Sequence, residues 1–148
     1  MNTERARTFL LALPHVVETE QWGGLLFWVG DKTIGGKMFA MMNVDEAGMR
    51  ITFPAGEEHF HELCEVDGLV PAPYLARAFW VSAERWDALR DREWEEEFRA
   101  GHARTLEKLP AKTRAVLAMP AAEAKKIVSA RRKVMAAAEA AKKAAKKK

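Results

Sequence analysis

The first segment of the chain has apolar residues at three- and four-residue spacing, which predicts an amphipathic helix. Thr3 can cap this helix, because its hydroxyl can accept a hydrogen bond from a free backbone N–H. The helix must end before Pro14, since a proline pushes the preceding residue out of the α region. The apolar positions that define its inner face are Ala6, Phe9, Leu10 and Leu13.

Three short apolar runs follow, and glycine-bearing turns separate them. The runs cover residues 25–30, 37–44 and 49–53, and the turns cover 31–36 and 45–48. Runs of this length with connections of a few residues are typical of antiparallel strands. We therefore predict an antiparallel meander in the first third of the chain.

The middle of the chain predicts two more helices and one more strand. A helix over 57–66 places Phe60, Leu63 and Cys64 on one face. A second helix begins at Asp91, which caps it, and ends near Leu109. We expect its Trp94 and Phe98 to face the core. Residues 67–76 contain two prolines and a glycine and predict a loop, and residues 79–86 predict a strand. The order α-β-β-β-α-β-α predicts an α+β fold, in which helices cover one face of a small antiparallel sheet of about four or more strands.

Composition indicates a soluble protein. The chain has 148 residues, of which 49% are hydrophobic and 30% are charged, and it has one cysteine. No apolar run approaches the roughly 20 residues that cross a membrane. A single cysteine excludes an internal disulfide and any site with several cysteine ligands. We expect a cytoplasmic protein without a membrane partner.

Charge and aromatic residues divide the chain into two parts. Residues 121–148 hold ten of the 24 Lys and Arg residues but two of the 21 acidic ones, so the preceding body is net acidic. All 13 aromatic residues lie between Phe9 and Phe98. Because aromatic side chains supply much of a core's burial, we predict a folded domain over residues 1–118 and a basic tail, helical or disordered, over residues 119–148.

Several short motifs resemble the MmcQ/YjbR family of small bacterial proteins. They are 13–16 (Leu-Pro-His-Val), Trp22-Gly23, 35–40 (Gly-Gly-Lys-Met-Phe-Ala), 71–75 (Pro-Ala-Pro-Tyr-Leu) with Trp80-Val81, and Leu109-Pro110 followed by 112–114 (Lys-Thr-Arg). They occur in the family's order over residues 3 to about 118. The resemblance implies a frataxin-like α+β fold and DNA binding. The Lys- and Ala-rich extension after Pro120 is not part of the family domain.

The residues that enzymes use are sparse. Both serines lie outside a Gly-x-Ser-x-Gly elbow, and Gly35-Gly36-Lys37 lacks the spacing of a phosphate-binding loop. Cys64 and His61 can share a helix face, which leaves a thiol–imidazole site as one hypothesis, but a small apolar role for Cys64 is favoured. We expect a protein that is not an enzyme and has no cofactor.

Consecutive glutamates near the start of the last predicted helix have two interpretations. The residues are Glu93, Glu95, Glu96 and Glu97. In a frataxin-like fold, acidic side chains could form a weak iron-binding surface. A solvated helix face is favoured, because consecutive residues point to several sides of a helix and acidic residues suit its N-terminal dipole. We expect no metal site.

Two groups of residues are candidates for contact with nucleic acid. On the body they are Lys37, Tyr74, Arg77 and Trp80, because bases stack on aromatic rings and phosphates pair with cations. The alternative is that Tyr74 and Trp80 only pack their loop against the sheet. In the tail they are Lys125, Lys126, Arg131, Arg132, Lys133, Lys142, Lys143, Lys146, Lys147 and Lys148.

The tail gives the stronger indication of function. It alternates cations with alanines, much like a linker-histone tail. Its lysines at i,i+4 spacing repel one another until a polyanion neutralises them. We expect largely sequence-non-specific DNA binding in which the tail contacts phosphates. The alternative is a protein-interaction module whose tail only solubilises or localises it.

Overall fold

The structure is a computed structural model that describes residues 1–43 and 48–147. Within these ranges it has five α-helices: α1 (Thr3–Ala12), α2 (Glu57–Cys64), α3 (Asp91–Lys108), α4 (Ala111–Leu117) and α5 (Ala121–Lys146). It has six strands in the same ranges: β1 (Val16–Gln21), β2 (Gly24–Val29), β3 (Lys37–Asn43), β4 (Ile51–Pro54), β5 (Leu69–Pro71) and β6 (Trp80–Ala83).

The strands form one antiparallel sheet in the order β1-β2-β3-β4-β6-β5. The first four strands are a meander, of which β2, β3 and β4 were predicted. Strand β6 pairs with β4 and leaves β5 at the edge, and the chain forms α2 between β4 and β5. The predicted α+β architecture is confirmed.

The core lies between the sheet and helix α3. Trp94 is fully buried, and Phe53 and Phe98 are each 2% exposed. The Phe53 ring meets Trp94 and Phe98 edge-on, at centroid distances of 5.7 and 6.5 Å. Such geometry adds to the stabilisation from area burial. The inward orientation predicted for Trp94 and Phe98 is confirmed.

Two strands were missing from the sequence prediction. Strand β1 has two valines followed by four polar residues, pairs with β2 alone and forms one edge of the sheet. Strand β5 has three residues and ends at Pro71, inside the segment predicted as a loop. Neither strand has the apolar run that marks a strand in sequence. Both form because a neighbouring strand pairs with them in the fold.

The helix caps also differ from the prediction. Asn2, and not Thr3, caps α1, since its side-chain oxygen accepts a hydrogen bond from the Arg5 N–H at 2.8 Å. Helix α3 begins one residue after Arg90, whose N–H donates to Glu93, while the carboxylate of Asp91 pairs with Arg5.

The turn predicted over 45–48, and the end of the strand predicted over 37–44, involve residues 44–47, which lie outside the described residues. Among the helices in the described ranges, none combines the length and the apolar content that crossing a membrane requires.

Candidate functional site

Helix α4, at the end of the predicted domain, and helix α5, in the predicted tail, both contact the body. Helix α4 is fixed by Thr113, whose hydroxyl donates a hydrogen bond to the Ile34 carbonyl at 2.6 Å. Gly35 allows this approach: its φ is +93°, and a Cβ there would lie 2.5 Å from the Thr113 hydroxyl oxygen. A left-handed backbone and a close neighbour both favour glycine. Helix α4 therefore directs α5 past the short 3₁₀ turn Lys32–Ile34.

An ion pair joins α5 to this turn. The Arg132 guanidinium donates to the carboxylate of Asp31, with Nε at 2.9 Å from Oδ2. The Asp31 side chain is 7% exposed, whereas that of Arg132 is 59% exposed. Burial alone would raise the pKa of Asp31, but hydrogen bonds from Thr33 and Arg132 hold that pKa below its ordinary value. The carboxylate is thus ionised at neutral pH and attracts Arg132.

Beyond this ion pair the helix is solvated. From Ser129 to Lys147 every residue is exposed, and Val134 and Met135 are 55% and 42% exposed. Upstream, Ile127 and Val128 are half-buried. We call residues 133–147 the projecting segment of α5. The structure therefore shows a helix where the sequence left helix or disorder open.

The cations of α5 and Lys147, the residue that follows it, fall into two sets. Arg131 and Arg132 contact the turn, Arg131 through a 3.4 Å hydrogen bond from Nε to the Thr33 carbonyl. The others have no hydrogen-bond or ion-pair partner in the part of the chain that the structure describes; they are Lys125, Lys126, Lys133, Lys142, Lys143, Lys146 and Lys147. Lys148 lies outside the described residues.

The structure brings together two of the four candidates on the body. Lys37 and Trp80 line one cleft of about 290 Å³, which we call the β3–β4 cleft. Arg77 is exposed in the 3₁₀ turn Ala76–Ala78 and does not line it. Tyr74 lies beside Thr52 and Ser82, at a different depression of the sheet surface. The four residues therefore do not form one site.

Tyr74 does not lock its loop onto the sheet, which corrects one alternative from the sequence. Its side chain is fully exposed and its φ is +66°. Trp80 is half-buried and belongs to β6, where it pairs with Pro54. Only Trp80 has the packing that this alternative required.

Sequence reasoning missed two cations of the β3–β4 cleft. Arg104 and Lys108 lie one turn apart in the last part of α3 and line the cleft with Lys37. Their i,i+4 spacing on a predicted helix was visible in the sequence. Nothing in the sequence showed that this helix face would meet the start of β3.

The glutamates of α3 are not all solvated. Glu95 lies 3.9 Å from Arg99, and Glu96 lies 3.9 Å from Arg92. The side chain of Glu97, in contrast, is 13% exposed and lies 2.7 Å from Nε2 of His59. Burial alone would lower the pKa of His59, but Glu97 and Glu62 raise it above its ordinary value. In the described ranges no group of three or more His, Cys, Asp or Glu side chains is arranged so that it could hold a metal ion.

Cys64 is half-buried at the end of α2, next to the core. Burial raises the pKa of its thiol. His61 is exposed and packs on the Phe60 ring, with centroids 5.2 Å apart. Since the thiolate is the reactive form, a raised pKa makes the thiol a poor nucleophile at neutral pH.

We expect thiol reagents to modify Cys64 in the native protein more slowly than a free cysteine at pH 7. The replacement Cys64→Ala should cost about 1 kcal/mol of unfolding free energy, because it removes part of an apolar contact. Colorimetric thiol titration and thermal denaturation measure the two effects. Modification as fast as that of free cysteine would contradict this account and revive the thiol–imidazole hypothesis.

Comparisons with known proteins place the chain in a family. No curated protein matches it. The crystal structure of Deinococcus radiodurans protein DR2400, which contains a DUF419 domain, superposes with a TM-score of 0.70 at 21% identity, over 80% of this chain and 89% of that one. The sequence model of the YjbR family matches residues 11–103, which is more than half of the chain. The protein belongs to the YjbR family.

Proposed function

We propose that the protein binds DNA through helix α5, largely without regard to base sequence, and that it catalyses no reaction. One observation carries the proposal: six lysines of α5 and Lys147, which follows it, are exposed and have no partner in the described ranges. Lysines without counterions on a solvated helix are available to phosphates, and phosphate contacts supply most of the affinity of non-specific DNA binding.

The shape of the projecting segment suits a phosphate backbone. Its 15 residues span about 22 Å at 1.5 Å per residue, if helical throughout. One DNA strand presents a phosphate about every 3.4 Å along the axis, so this length faces roughly six phosphates. A helix of this size can therefore place several lysines on one duplex at once.

Electrostatics favour a contact through the end of α5. Lys142 and Lys146, like Lys143 and Lys147, are four residues apart on the helix and repel each other. Phosphates would remove this repulsion. The body has more acidic than basic residues, so its net charge opposes DNA binding and favours a contact through α5.

We expect the DNA affinity of the full chain to fall steeply with salt. If about six cations contact phosphates, log K should fall with log salt at a slope of about −5, since each contact contributes about −0.9. Changing the base sequence should have little effect, because phosphate contacts carry no base information. Fluorescence anisotropy with labelled duplexes at four salt concentrations measures both. A slope near zero, or a strong preference for one sequence, would refute the proposal.

A second candidate is a protein-interaction module, and two exposed aromatic residues favour it. Trp22, at the tip of the β1–β2 hairpin, is 87% exposed at φ +53°, and Tyr74 is fully exposed at φ +66°. Left-handed backbone is costly for such residues and is found at functional sites. The variant Trp22→Ser/Tyr74→Ser tests whether these two residues contact DNA. Unchanged DNA affinity leaves the α5 proposal intact, whereas its loss would place the contact on the sheet.

A further inference from the structure

The β3–β4 cleft exists because two neighbouring strands separate. Strands β3 and β4 pair only at Met41 with Thr52 and at Met42 with Ile51 in the described residues, whereas β4 pairs with β6 along its whole length. The beginning of β3 and the end of β4 thus diverge. The last turns of α3 bridge the gap, since Arg104 donates to the Pro54 carbonyl at 3.1 Å and Lys37 donates to the Lys108 carbonyl at 3.2 Å.

Three cations converge on this cleft without a counterion. Lys37, Arg104 and Lys108 all line it, and none forms an ion pair with a carboxylate in the described part of the chain. The acidic residue of the lining is Glu57, which leaves an excess of two positive charges. Clustered like charges are unfavourable unless an anion neutralises them. The arrangement is therefore suited to an anionic ligand.

An aromatic wall faces these cations. Phe79 and Trp80 line the cleft at the beginning of β6. Phe79 has a φ of +64°, a conformation that costs about 1–3 kcal/mol and that is found at ligand sites. Its carbonyl accepts a hydrogen bond from the Ala55 N–H at 2.9 Å, and its ring meets Phe60 at 5.7 Å. These contacts hold the strained residue at the cleft.

We propose that the β3–β4 cleft binds one nucleoside monophosphate unit, with the phosphate on Lys37, Arg104 and Lys108 and the base against Trp80 and Phe79. Guanidinium and ammonium groups bind phosphate through charge-assisted hydrogen bonds, and bases stack on aromatic rings. The volume of about 290 Å³ is at the small end of ligand pockets, which suits a single unit. The unit can be a free nucleotide or the phosphorylated end of a strand.

This proposal does not rest on DNA binding by α5, and calorimetry of the full chain tests it. The probes are AMP, adenosine and inorganic phosphate. We expect saturable 1:1 binding of AMP, with adenosine and phosphate each binding at least about tenfold more weakly, because each lacks one half of the recognised group. If AMP shows no saturable binding, the ligand is not a free nucleotide.

A matched pair of variants localises the ligand. Lys108→Gln removes a cleft cation whose side chain has no partner in the described residues, and Lys112→Gln removes an exposed cation of α4 with the same change in charge. We expect AMP affinity to fall about tenfold for Lys108→Gln and to stay unchanged for Lys112→Gln. Equal effects from both variants would overturn the assignment of the ligand to the cleft.

A second experiment tests whether the ligand is the phosphorylated end of a nucleic-acid strand. It uses the variant Lys142→Gln/Lys143→Gln/Lys146→Gln/Lys147→Gln, in which α5 contributes little to binding. It compares a trinucleotide carrying a 5′-phosphate with the same trinucleotide carrying a 5′-hydroxyl. Tighter binding of the phosphorylated form than of AMP assigns the cleft to strand ends. Weaker binding assigns it to the free nucleotide. If neither AMP nor the phosphorylated trinucleotide binds, the proposal is wrong, whatever the DNA affinity of α5.

Discussion

Replacing Lys142, Lys143, Lys146 and Lys147 with glutamine should lower DNA affinity about a thousandfold at 0.1 M salt and flatten the salt slope by about three to four, because four phosphate contacts are lost. The loss should be the same on duplexes of any sequence. Because the four side chains are exposed and have no partner in the described ranges, thermal unfolding of the body should not change. Anisotropy titrations and calorimetry measure the two effects.

A charge-matched pair of variants provides the control. Lys142→Gln/Lys143→Gln and Arg90→Gln/Arg92→Gln each remove two exposed cations, but the second pair lies at the beginning of α3. Screening at 0.1 M salt limits the reach of an exposed charge to about 10 Å. We expect the α5 pair to weaken binding at least about tenfold more than the α3 pair. Equal losses would mean that net charge, and not α5, determines the affinity.

Arg132→Ala should destabilise the protein by about 1–2 kcal/mol, between the small value of an exposed ion pair and the larger value of a buried one. Asp31 would remain buried with its charge and keep only the hydrogen bonds from Thr33. Arg131→Ala removes the same charge but only a long, exposed hydrogen bond, so it is the control. Similar melting of the two variants would contradict the importance of the ion pair. In the Arg132→Ala background, Asp31→Asn should restore part of the stability, because the unpaired charge is gone.

The Asp31–Arg132 pair also predicts a dependence on pH. The pKa of Asp31 is lowered in the folded state, so its contribution to stability is present above the unfolded value of about 3.9 and is lost as the pH falls through the folded pKa. Denaturation of the wild type and of Arg132→Ala between pH 3 and pH 7 measures it. The difference in stability between the two should shrink toward low pH.

The sequence predicted the parts of the fold that depend on local pattern. Trp94 and Phe98, four residues apart on α3, face the core as the helical pattern predicted. Strand β1 could not be predicted, because its mostly polar residues become a strand only when β2 lies beside them. The cap of α1 differed by one residue, since Asn2 and Thr3 can both supply a capping oxygen.

The sites depended still more on distant residues. Lys37 and Trp80 were candidates by type, but Arg104 reaches the cleft from α3 through its hydrogen bond to Pro54. The pairing of Asp31 with Arg132 joins residues about a hundred positions apart. No periodicity or motif encodes such a contact. The charge division of the chain, in contrast, was readable directly, and it carries the proposal for α5.

Lysine footprinting of the full chain, with and without a DNA duplex, tests the central claim most directly. Acetylation with a water-soluble reagent, followed by mass spectrometry, reports the reactivity of each lysine. We predict that DNA protects Lys142, Lys143, Lys146 and Lys147, while Lys32 and Lys112, exposed on the body, stay as reactive as before. Protection of Lys32 and Lys112 with unchanged reactivity along the projecting segment would contradict the account.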